Sequence, residues 1–96
     1  MAHRVTVLGA GSWGTALAIQ LGRVGHDVQL WARDLQLVAS MAELRMNRTY
    51  LPDVELPASV LPTASLEQAL EASTCVVAAV PSHGARAVIW LASGFL

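Results

Sequence analysis

An apolar run, Val5-Thr6-Val7-Leu8, leads directly into Gly9-Ala10-Gly11-Ser12-Trp13-Gly14. The run reads as a strand, and the Gly-x-Gly-x-x-Gly spacing at its end reads as a turn feeding a helix. Each glycine has a physical use. Gly9 permits the tight turn out of the strand. Gly11 has no Cβ, so a pyrophosphate can approach the backbone, and Gly14 lets the helix pack close to the strand. The free N–H groups and the positive end of the helix dipole would then hold the phosphates.

The residues that follow support this reading. Thr15–Val24 reads as a helix with Ala16, Ile19 and Val24 among its apolar positions, and Gly25 is a natural stop. His26–Arg33 reads as a second strand, with Val28, Leu30 and Ala32 on one face and Trp31 on the other. Together they make a strand–helix–strand unit. The alternative is a glycine turn in some other α/β protein.

Further along, Asp34 can cap a helix over about Leu35–Met46, with Leu35, Val38, Ala42 and Met46 at helical spacing. Asn47–Pro57 reads as a loop, and Ser59–Thr63 as a short edge strand, because Pro62 is tolerated only at an edge. Ser65 and Gln68 have the spacing of a capping box for a helix over Leu66–Ala72. Thr74–Val80 is apolar on both faces, as a central parallel strand should be, and Pro81 is expected to end it. Gly84–Ala92 reads as a last helix.

The expected fold class is α/β: the N-terminal part of a Rossmann-type doubly wound parallel sheet, truncated. Such a domain has two mononucleotide-binding halves, and 96 residues supply about one. The composition agrees, with 54% hydrophobic and only 14% charged residues, as in a sheet covered on both faces. At a net charge of −1 no nucleic-acid footprint is visible. No uninterrupted apolar run reaches the ~18 residues of a membrane span, so a cytoplasmic protein is expected. His3, His26 and His83 show no ligand spacing, so no metal site is argued. The single cysteine, Cys75, reads as a small buried hydrophobe in a strand.

The residue ending the second strand reads the adenosine ribose in folds of this kind. A carboxylate there favours NAD, and an arginine can hold the 2′-phosphate of NADP. Arg33-Asp34 stands there, about 20 residues beyond Gly14. Arg33 argues for NADP, the other reading being a solvated surface charge. Asp34 is better used as a helix cap.

On these residues a family can be named. Gly9–Ala18 closely resembles the glycine loop of NAD(P)-dependent glycerol-3-phosphate dehydrogenases. Leu30-Trp31-Ala32-Arg33, Asn47-Arg48-Thr49-Tyr50-Leu51-Pro52 and Ala79-Val80-Pro81-Ser82 match further blocks in order, so the likeness covers most of residues 4–90. The resemblance implies reduction of dihydroxyacetone phosphate to sn-glycerol 3-phosphate for phospholipid synthesis, with NADP or NAD as cofactor. It places Ser12 and Trp13 along the pyrophosphate and cofactor site, Arg33 at the 2′-phosphate, Tyr50 near the cofactor and Pro81 beside the nicotinamide. Two of these have plainer uses: Trp13 as a core aromatic at the helix start, and Tyr50 as a loop residue packing on the second helix.

The chain departs from the family at one point. The family uses a lysine in a Lys-Gly loop and a catalytic lysine from a separate helical domain, and these 96 residues contain six arginines and no lysine. A cation must polarise the substrate carbonyl, and arginine is a poor proton donor to the new alkoxide. No catalytic residue is therefore assigned. Residues 1–96 are expected to form an incomplete NAD(P)-binding domain, with the C-terminal substrate and catalytic domain absent and no dehydrogenase activity alone. The full-length form is expected to take the small-molecule substrate and to be a homodimer. Two other readings stand beside this one: a non-catalytic NADP-binding module, and another dehydrogenase of the superfamily such as a 3-hydroxyacid enzyme. The Ser-Trp and Asn-x-x-Tyr-Leu-Pro blocks argue against the latter.

Overall fold

The apolar run after Arg4 forms strand β1 (Arg4–Leu8), whose Val5, Thr6 and Val7 are all buried. A computed structural model of the chain describes the backbone of residues 3–71, 73–82 and 85–92 and the side chains of residues 3–71 and 73–78. The elements after β1 are helix α1 (Ser12–Arg23), strand β2 (Asp27–Trp31), helix α2 (Leu35–Leu44), strand β3 (Met46–Asn47), strand β4 (Leu51–Glu55), strand β5 (Val60–Thr63), helix α3 (Leu66–Leu70), strand β6 (Cys75–Ser82) and strand β7 (Ala85–Ala92). The main sheet has the order β5-β2-β1-β6-β7, and its first four strands are parallel. This is half of a doubly wound α/β sheet. The chain steps outward from β1 through β2 to β5, then returns to the other side of β1 as β6, so the order reverses between β1 and β6. Ligands of open α/β sheets bind beyond the carboxyl ends of the strands at such a reversal.

The register puts Val5, Val28 and Val60 in one cross-strand row and Val7, Leu30 and Val77 in another. These residues form one buried cluster with Ile19 of α1 and Met41 of α2. On the opposite face, the buried Thr6 hydroxyl lies within hydrogen-bonding reach of the Ala69 carbonyl and the Ser73 hydroxyl, while Ser73 Oγ donates to Ala69 O at 3.0 Å. A polar stitch therefore holds the end of α3 against β1. Cys75 lies in β6 as expected, but it is half-buried rather than buried, and that burial pushes its thiol up.

Helix α1 buries Gly14, Thr15, Ala18, Ile19 and Gly22, a stripe at helical spacing. Of the three apolar positions named for this helix Ile19 is buried, whereas Ala16 is exposed and Val24 is 62% exposed beyond the helix end. Gly25, at φ 100°, makes the expected stop. Helix α1 makes a close contact at Gly22, where a Cβ would lie 2.7 Å from Val60 Cγ2 of β5. Helix α2 is capped as expected, with Asp34 Oδ1 accepting from the N–H groups of Gln36 (2.9 Å) and Leu37 (3.2 Å). Its inward residue is Met41, whereas Leu35 is 73% exposed and Ala42 is exposed. The helix ends at Leu44 because Arg45 turns left-handed at φ 54°. Arg45 then donates from Nη2 to the carbonyls of Pro57 and Val60, both at 2.7 Å. Ser65 caps α3 by accepting from the Gln68 N–H at 3.2 Å, which is the Ser half of the expected capping box.

Three expectations need correction. The segment Asn47–Pro57 is not a plain loop. Strands β3 and β4 pair antiparallel within it, and Leu51 and Val54 pack against the core. Pro52 and Asp53 masked that pattern, and Asp53 takes φ 69° inside the strand. Pro81 does not end β6, which continues to Ser82. β1 pairs only as far as Ala78, so the missing proline N–H falls outside the parallel ladder. Finally, the helix expected over Gly84–Ala92 is not formed: Ala85–Ala92 is strand β7, antiparallel to β6, with Val80 opposite Ala87 and Val77 opposite Trp90, and Gly84 lies outside the described residues. Val88-Ile89-Trp90 is a β-branched and aromatic run that suits a strand, and an antiparallel neighbour needs only a short connection.

Candidate functional site: the glycine loop and its surroundings

The loop between β1 and α1 begins with Gly9 at φ 114°, a conformation that favours glycine. Its N–H donates to the Trp31 carbonyl at 2.9 Å, so the loop starts tied to the end of β2. Trp31 is itself held by Nε1 donating to Ala64 O at 3.1 Å. Gly11 is the N-cap of α1, with extended backbone at φ −73° and ψ −174°, and no side chain caps the helix. The first turn also carries no acidic residue. The first N–H groups of α1 and the positive end of its dipole thus meet no side-chain cap or carboxylate of that turn. A Cβ built at Gly11 meets nothing within 4 Å, so the space over the loop is open to an approaching group. These features together suit a diphosphate.

The strand register gathers the expected site residues at one edge of the sheet. Leu8, at the end of β1, pairs with Trp31 of β2 on one side and with Ala78 of β6 on the other. Gly9, Gly11, Ser12, Trp13 and Gly14 follow Leu8. Arg33, exposed, comes just after β2, and Pro81 lies in β6 past its last pairing with β1. Ser12 is half-buried, and Gly14 is buried on the packed face of α1. Trp13 is half-buried and packs against the core cluster.

Tyr50 stands apart from the loop. It is 50% exposed and lines a cavity of ≈ 210 Å³ with Asp34, Gln36, Leu37, Ser40 and Thr49. This hollow lies between the first turns of α2 and the β3–β4 hairpin, beside the position that would read a ribose. Tyr50 thus shares a hollow with residues of α2 while half of its surface stays exposed.

One residue of the site escaped the sequence reading. Asn47 is fully buried, and its Nδ2 donates to Ala10 O and to Thr15 Oγ1, both at 2.8 Å. Its Oδ1 accepts from the Tyr50 N–H at 3.2 Å. Its place at the head of the Asn-x-x-Tyr-Leu-Pro block was the available signal.

Among the described residues no helix is long and apolar enough to cross a membrane. The model of the NAD-dependent glycerol-3-phosphate dehydrogenase N-terminus matches residues 4–96. A glycerol-3-phosphate dehydrogenase (NAD(P)+) of Thioalkalivibrio sulfidiphilus is 52% identical over 85 residues, which are 88% of this chain and 26% of the relative. Its counterpart in Moorella thermoacetica is 46% identical over 96 residues, the whole of this chain and 29% of the relative. Among solved structures, the glycerol-3-phosphate dehydrogenase of Coxiella burnetii superposes with a TM-score of 0.81 at 40% identity, covering 84% of this chain and 25% of that one. The chain therefore spans about a quarter of the length of these relatives.

Proposed function

Because the chain belongs to the family of NAD-dependent glycerol-3-phosphate dehydrogenase N-termini, we propose that it is the cofactor-binding portion of such an enzyme. The reaction is hydride transfer between NAD(P)H and dihydroxyacetone phosphate, giving sn-glycerol 3-phosphate. The observation that carries this reading is the open, uncapped start of α1, where Gly11 leaves room for a diphosphate. The bound nicotinamide would supply the hydride. The chain's own residues would hold the cofactor: the N–H groups of Gly11–Gly14 at the pyrophosphate, Arg33 at a 2′-phosphate, Tyr50 near the adenosine and Pro81 at the nicotinamide side. Ser12 and Trp13 would flank the diphosphate, with Gly9 shaping the turn.

These 96 residues contain six arginines and no lysine, so the cationic proton donor to the new alkoxide would come from elsewhere in the working enzyme. We place that enzyme in the cytoplasm, as a homodimer. The test is to isolate the native protein with an antibody against this segment and follow NADPH and NADH oxidation. Oxidation dependent on dihydroxyacetone phosphate, by a polypeptide several times heavier than 10.2 kDa, is expected. A 10.2 kDa species that binds NADP without turnover would favour a non-catalytic binding module instead.

A further inference from the structure

Asn47 belongs to the β3–β4 hairpin, yet its side chain is spent on the glycine loop. The amide assignment follows from its partners. The Ala10 carbonyl only accepts, so Nδ2 must face it, and the Tyr50 N–H only donates, so Oδ1 must face that. Both amide hydrogens are used, one on Ala10 and one on Thr15 Oγ1. Those two residues bracket Gly11–Gly14, the stretch whose N–H groups open α1. We infer that Asn47 is a positioning residue for the diphosphate-binding loop: it clasps both ends of Gly11–Gly14 and couples them to the backbone at Tyr50.

The inference rests on the cofactor-binding reading above and adds to it a residue that touches no cofactor. Asn47 is fully buried, so its loss leaves the Ala10 carbonyl without its side-chain donor, and the loop ends are free to move. The loop would then no longer present its N–H groups as one preformed set, and ligands that need that set would suffer most.

Asn47→Asp separates this role from general packing. The carboxylate keeps the size and still accepts from Tyr50, but it cannot donate to Ala10, and it sets a negative charge beneath a loop meant for a diphosphate. The assay is calorimetric titration of the full-length protein with two probes, ADP-ribose, which carries the pyrophosphate, and adenosine 2′-monophosphate, which does not. Thermal melting is run on each variant. The expected result is a loss of about tenfold or more for ADP-ribose, with adenosine 2′-monophosphate within about twofold. Equal losses for both probes, or none for either, would overturn the inference. Should Asn47→Asp fail to fold, Thr15→Val removes only one of the two clasped groups. It should weaken ADP-ribose by about threefold, with Thr15→Ser restoring it; equal binding by all three proteins would overturn the inference. If the unsubstituted protein binds ADP-ribose and the variants match it, only the Asn47 role fails. If the unsubstituted protein does not bind ADP-ribose, the cofactor-binding reading falls as well.

Discussion

Replacing Gly11 by alanine should divide folding from binding. The Gly11 backbone, at φ −73° and ψ −174°, is one that any residue adopts, and an added Cβ meets no atom within 4 Å. The folded protein therefore has room for the methyl, and the unfolded chain loses some of the freedom glycine had. Stability should hold or rise by up to about 1 kcal/mol. The same methyl stands where a diphosphate would approach the loop. Pushing the anion off one N–H forfeits a charge-assisted hydrogen bond of about 1.5–3 kcal/mol, or about ten- to a hundredfold in Kd. The assay pairs a thermal melt with a calorimetric titration of NADP on Gly11→Ala and the unsubstituted protein. Unchanged melting with a tenfold or greater loss of affinity, on the order of that estimate, is expected. Unchanged affinity would refute the idea that the ligand comes in over Gly11, and a marked loss of stability would refute the open space itself.

Three further substitutions probe the frame and the ribose end. Gly22→Ala should destabilise by about 1–3 kcal/mol in urea denaturation, because its Cβ would meet Val60 Cγ2 at 2.7 Å, Ser59 Oγ at 3.0 Å and Pro57 Cβ at 3.3 Å; NADP affinity should not change. Asp34→Ala removes the acceptor for the Gln36 and Leu37 N–H groups and should cost about 1 kcal/mol, with Asp34→Asn recovering most of it, as read by thermal melting. Arg33→Gln should leave stability within about 0.5 kcal/mol, since the side chain is exposed. It should weaken NADP by about tenfold while sparing NAD, as measured by parallel titrations.

The half of the molecule that obeys local rules was legible from residues alone. β1, the glycine turn, α1 and β2 follow one another because each has its own signal: an apolar run, glycines at fixed offsets, and a glycine stop. Asp34 and Ser65 announced the starts of their helices for the same local reason. What escaped depends on partners distant in the chain. Thr6 looked like one more residue of an apolar strand, and only the arrival of Ala69 and Ser73 explains a buried hydroxyl there. Arg45 carried no local signal of its role, which is to satisfy the carbonyls of Pro57 and Val60. The β3–β4 hairpin was hidden by Pro52 and Asp53, and with it the contact from Asn47 to the loop 37 residues earlier. Gly84–Ala92 has an apolar pattern that helices and strands share, and pairing with β6 makes Ala85–Ala92 a strand. Helix faces were also hard to place: α1 buries Thr15 and Gly22, neither of which is strongly apolar, because close approach to the sheet needs small residues.

Cofactor binding at the start of α1 is tested by titrating the isotopically labelled protein with NADP and following its backbone amide resonances. The largest shifts should fall on Gly11, Ser12, Trp13, Gly14 and Thr15, with a second group at Arg33, Asp34 and Tyr50, and little change at β5 or α3. Saturable binding whose shifts cluster away from the start of α1 would contradict it, as would no shift at all at millimolar NADP.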